Sequence, residues 1–172
     1  MPITYTSGEQ VEVYRFNWAV NIGVPAAALW LQSFLPLHFQ FFKMFDLPLL
    51  VTIFFAMARR NPISGLLTGS VIGLFQDALT GLPLGINGLA KTVVGYGASS
   101  LGVKLDVENA GARLLVTLFF YVAHEIIYFT VARGMVALNQ QWSWPHELEA
   151  AFANALVGVF LFFVLDRFKQ RT

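Results

Sequence analysis

The chain has 172 residues, of which 56% are hydrophobic and 12% charged, with 17 phenylalanines and a formal net charge of +1. The charged share is about half that of soluble domains, and a chain this small could not hide so much apolar surface from water, so the bilayer is its expected solvent. The absence of cysteine excludes disulfides, thiol nucleophiles and thiolate metal sites, and the near-zero net charge gives no case for nucleic acid.

The first fifteen residues set Glu9 and Glu12 against Arg15. A secretory leader needs a basic start, so the N-terminus reads as an uncleaved anchor behind a tail over 1–15. Six apolar segments follow, at 16–36, 42–58, 62–80, 85–104, 113–133 and 147–167. They make one six-helix membrane domain over 16–168, with a basic tail at 169–172. Each crossing needs roughly 20 residues, with 17–25 tolerated. The second segment is the weakest: it spans only if the aromatic run Phe39–Phe45 supplies part of its outer half.

Arg15, Arg59, Arg60, Lys104, Arg113, Arg167, Lys169 and Arg171 fall on one side of these spans, against Lys43 and Arg133 on the other. The lysine and arginine bias of short loops places the richer side, and both termini, in the cytoplasm. The connections leave no room for an extramembrane domain. Trp142-Ser143-Trp144-Pro145 suits headgroup level, where indoles keep one end wet.

Asn17 and Asn21 in the first span suggest a face turned away from lipid, and Pro25 is expected to kink it. In the third, Gly65, Gly69 and Gly73 repeat every four residues. Small residues let membrane helices approach closely, and the interval makes a slanted groove, with Asp77 on its continuation. Intramolecular packing is its first expected use, a dimer or partner interface its second. The fourth span carries Gly88, Thr92, Gly95, Ser99 and Gly102 as a second small-residue seam, with Lys91 at its edge. A charge at mid-helix costs about 2.5–3.5 kcal/mol on insertion scales. Asp77 and Lys91 lie at similar depth around the turn Gly81-Leu82-Pro83-Leu84-Gly85. They are expected to pair, or Asp77 to cap backbone amides there; the functional alternative is a polar pocket open to the outer face.

The fifth span aligns Thr117, Tyr121, His124 and Tyr128 on one face, with Glu125 at its edge. Such a stripe looks into protein or water. Adjacent residues on a helix point about 100° apart, and no second histidine lies at ligand spacing, so an internal network is expected rather than a metal site. Asn154 with Ala150, Ala151 and Gly158 gives the sixth span a modest packing face. No catalytic, cofactor-binding or metal-binding set emerges: Gly-x-Ser-x-Gly, His-Glu-x-x-His and the phosphate loop are missing.

The run from Gly65 through Asp77 and Gly81-Leu82-Pro83-Leu84-Gly85 to Ala90 resembles the signature of the bacterial rod shape-determining protein family MreD. Gly65, Gly69, Gly73, Asp77, Gly81, Pro83 and Gly85 carry the likeness. Asp46-Leu47-Pro48 and the basic C-terminus also fit, whereas a lysine at Lys91 is not a family feature. The resemblance implies an all-α integral inner-membrane protein with no enzymatic activity, a scaffold of the machinery for lateral cell-wall growth. It implies MreC as direct partner, and the filament protein MreB, the polymerase RodA and a class B penicillin-binding protein as members of the same complex. It also implies a fold like that of the substrate-binding component of energy-coupling-factor transporters. On this view the aromatic segment Phe39, Phe41, Phe42 and Phe45 is a partner surface. The alternative is a small-molecule or lipid carrier using a pocket formed by Asp77, Lys91, Tyr121, His124 and Tyr128.

Overall fold

The structure, a computed structural model, describes residues 14–103, 109–138 and 141–171. Most of the tail read as 1–15, and Lys104, lie outside the described residues. Six helices run through the rest: α1 (Trp18–His38), α2 (Leu47–Arg59), α3 (Pro62–Thr80), α4 (Ile86–Gly102), α5 (Ala110–Gly134) and α6 (Trp144–Leu165). Five segments are long and apolar enough to cross a membrane, namely α1, Gln40–Arg59, α3, α5 and Trp144–Asp166. At 17 residues, α4 is roughly 25 Å long.

The weakest sequence segment forms the centre of the bundle. The aromatic run folds as a 3-10 turn over Gln40–Met44, and α2 proper has 13 residues. Every residue from Pro48 to Ala58 is buried, and α2 touches each of the other five helices. A helix that is apolar all round is a buried one; protein, not lipid, covers it, so it need not span the hydrocarbon alone. The Asp46 carboxylate caps it by accepting from Leu49 N at 2.9 Å, with Pro48 in the first turn, where a missing N–H costs nothing.

The most extensive helix contact is between α3 and α4, and the glycines explain it. A Cβ at Gly69 would overlap the Lys91 carbonyl, one at Gly73 the Asn87 carbonyl, and one at Gly65 the Gly95 carbonyl and the Ser99 hydroxyl. The groove of α3 is therefore occupied by the backbone of α4. Gly81 ends α3 at φ 69° and Gly85 precedes α4 at φ 108°, left-handed conformations that favour glycine.

At the opposite end of the bundle the two chain ends meet. Tyr14 pairs with Arg171 and Arg15 with Gln170 in a two-residue antiparallel ladder. Arg113 at the start of α5 reaches Asp166 beyond α6 at 2.6 Å, and Lys169 reaches the same carboxylate at 2.7 Å. α1 is continuous through Pro25. Its Asn21 donates to Phe16 O at 3.2 Å and accepts from Arg59 at 2.7 Å.

Candidate functional site

The end of the bundle away from the chain termini holds a set of buried polar side chains. Asp77, wholly buried at the last turn of α3, faces the start of α4. Its Oδ2 accepts from Gly85 N at 2.8 Å and Gly88 N at 3.2 Å; its Oδ1 accepts from Asn87 N at 3.1 Å and Asn87 Nδ2 at 2.8 Å. A carboxylate at a helix N-terminus satisfies orphan amides and meets the positive end of the helix dipole. Alanine at position 77 leaves four donors without this acceptor. The expected cost is about 2–3 kcal/mol, read as a lower midpoint of unfolding in mixed micelles. Asn should restore only part of it, because its amide nitrogen cannot accept.

Lys91, also fully buried, lies one turn beyond Asn87 and pairs with a different carboxylate. Its Nζ contacts Asp46 Oδ2 at 2.6 Å, Asn87 Oδ1 at 3.1 Å and His124 Nε2 at 3.1 Å. Asn87 thus stands between Lys91 and Asp77, its amide nitrogen on the aspartate and its amide oxygen on the lysine. An ammonium has three N–H groups and accepts nothing. His124 Nε2 is therefore the acceptor, and the ring proton sits on Nδ1, 3.1 Å from Glu125 Oε1. Asp46 is held from its other side as well: its backbone N–H donates to Asn154 Oδ1 at 2.9 Å, and Asn154 Nδ2 donates to Met44 O and Ala150 O. One connected network thereby ties α2, α4, α5 and α6 together beside the α3–α4 turn.

Above this network opens a cavity of about 470 Å³. Tyr121, His124 and Tyr128 are on its wall, with Asp46, Asn87, Gln76, Glu125 and Glu147; Asp77 and Lys91 are not. Gln76 Oε1 is buried without a hydrogen-bond partner. Thr117, the first member of the α5 stripe, lies deeper and touches the Gly158 side of α6. Among the described residues no three His, Asp or Glu side chains are placed to hold a metal ion.

Phe39 and Phe41 are 59% and 66% exposed, while Phe42 and Phe45 are partly covered. The four rings contact one another at centroid distances of 5.3–6.1 Å.

The sequence did not reveal Asp46 as the partner of Lys91, nor Asn87 as the bridge to Asp77; Asn154 was read as a packing residue, not as a member of this network. The available signal was Asp-Leu-Pro ahead of an apolar run, which marks a helix start and fixes the carboxylate at the mouth of α2.

No curated protein and no solved structure matches the chain. The family model described as rod shape-determining protein MreD matches residues 14–171, a span that contains the glycine-lined α3–α4 hairpin, the Asp77 cap and the whole buried network. The chain therefore belongs to the MreD family, whose role is in determining rod shape.

Proposed function

We propose that the protein is a non-enzymatic, multi-pass scaffold of the bacterial inner membrane that binds MreC and helps organise the peptidoglycan synthases of the elongation complex. The family match across residues 14–171 carries this reading. In it, MreB, RodA and a class B penicillin-binding protein join the complex through or alongside MreC. Both termini are cytoplasmic: Arg59, Arg60, Arg113, Arg167 and Lys169 belong to the end of the bundle where the chain ends pair, and positive charge favours the cytoplasmic side. The domain runs over 16–168 between short tails. The exposed rings of Phe39 and Phe41 offer MreC an aromatic surface at the outer boundary, the kind of rigid apolar anchor that interfaces favour.

The tagged chain, extracted in mild detergent, is expected to bring MreC with it, and Phe39→Ser/Phe41→Ser to weaken that recovery several-fold. Cells lacking the protein should become round. Failure of MreC to co-purify, together with rods that keep their shape, would sink the proposal. The cavity beside Tyr121, His124 and Tyr128 supports a second reading, a substrate- or lipid-binding component with a fold like that of energy-coupling-factor transporters. The same preparation separates the two, since a retained small molecule displaced by Gln76→Leu would favour the second.

A further inference from the structure

The cleft between α1 and α3 has a composition that the scaffold role does not require. It encloses about 620 Å³ and is walled by Ile22 and Leu29 of α1 and by Leu67, Val71 and Phe75 of α3. Apart from Leu29, these side chains face outward, with exposures from 52% to 64%. At the end nearer the chain termini, the wall includes Arg59. Its guanidinium donates from Nη1 to Ser64 Oγ at 3.1 Å and Thr68 Oγ1 at 3.0 Å, and from Nη2 to Asn21 Oδ1 at 2.7 Å. All three acceptors are neutral. The ion pairs among the described residues involve Lys91, His124, Arg113 and Lys169, and Arg59 is in none of them. A guanidinium has five N–H donors, so these bonds leave two N–H groups for an anion, and the charge meets no carboxylate, only the face of the Phe55 ring at 5.2 Å.

From Leu67 to Leu79, the extent of the cleft along α3, is twelve residue steps, or roughly 18 Å of helix. That is about half of the ~30 Å hydrocarbon core, the depth of one leaflet. A cation with unused donors at one end and an apolar slot one leaflet long match a molecule that is anionic at the boundary and aliphatic below.

We propose that the α1–α3 cleft binds an anionic phospholipid, its phosphate on Arg59 and an acyl chain along Leu67, Val71 and Phe75. Guanidinium suits this role through its fixed fork of donors toward phosphate oxygens.

The test uses the full chain reconstituted in nanodiscs of phosphatidylcholine containing a minor fraction of phosphatidylglycerol, with retained lipid counted by native mass spectrometry. Phosphatidylglycerol should be retained in preference to phosphatidylcholine. Arg59→Gln should lower that preference about tenfold, the effect of losing one charge-assisted contact. Because Arg59 also holds Asn21, Ser64 and Thr68, Val71→Trp provides a second variant; it fills the slot, leaves Arg59 in place, and should lower retention comparably. Arg59→Lys should keep the preference at reduced strength. The proposal is overturned if the two lipids are retained equally, or if Val71→Trp retains as much phosphatidylglycerol as the native chain. It is likewise overturned if inorganic phosphate displaces the lipid, or if a second copy of the chain closes the cleft. None of these outcomes bears on recovery of MreC.

Discussion

Asp46→Ala is expected to lower the free energy of unfolding by about 3–5 kcal/mol, because it leaves the Lys91 ammonium buried with no anion. Lys91 is 0% exposed, and its remaining contacts, Asn87 Oδ1 and His124 Nε2, are neutral. The same substitution removes the acceptor of Leu49 N at the start of α2, a further loss of about 1 kcal/mol. Lys91→Met alone should cost less, since the Asp46 carboxylate keeps the Leu49 amide and lies only partly sealed. The informative variant is the double one. Asp46→Ala with Lys91→Met removes both charges together, and an apolar replacement of a buried ion pair is often close to neutral apart from the lost cap. Unfolding in mixed micelles, followed by circular dichroism, measures all three. A double variant no more stable than Asp46→Ala would show that the pair is not what the single substitution disturbs.

Gly69→Val should separate α3 from α4 and cost about 3 kcal/mol or more, at the upper end of overpacking in a close-packed interior. The added carbon would meet the Lys91 carbonyl, with its carbon at 2.6 Å and Thr92 N at 3.2 Å. These are backbone atoms of a helix and cannot turn aside as a flexible side chain would. Gly69→Ala meets the same atoms with less bulk and should fall between the native chain and valine. Any relief must move the backbone that carries Lys91, so the charge network loosens at the same time and the effects of Gly69 and Asp46 variants should not add. Gly23→Ala is the contrast: nothing lies within 4 Å of its added carbon, and replacing a mid-helix glycine there should be neutral or gain up to about 1 kcal/mol. Equal losses at Gly23 and Gly69 would show that helix propensity, not close approach, governs the result.

The residues that could be read from the sequence are those whose partners lie nearby along it. The third apolar segment reads as 62–80, and α3 is Pro62–Thr80; the structure shows Asn61 capping its start and Gly81 its end. The Asp77 cap reaches residues eight to eleven positions on, within one turn of chain. Lys91 was singled out for its charge, but its anion is 45 residues earlier, and no local period connects the two. Asp46 falls within the second apolar segment, 42–58, where the sequence marks it only as part of Asp46-Leu47-Pro48 and offers it no partner. The α2 span was indistinct for a related reason: a helix shielded by five others is released from the length that lipid contact imposes. The His124–Glu125 contact was also hidden, since neighbours on a helix diverge in direction and meet only through side-chain reach.

Synthesis from the N-terminus makes the position of Asp46 consequential. Its carboxylate is translated 45 residues ahead of Lys91, and its amide 108 residues ahead of Asn154. When α1 and α2 have been made, the cation that Asp46 meets in the finished fold has not. The ion pair at the head of α2 can therefore close only after α4 has followed it, and the Asp46 amide finds Asn154 only once α6 is present. The bundle cannot be completed around its central helix until its last helix is in place.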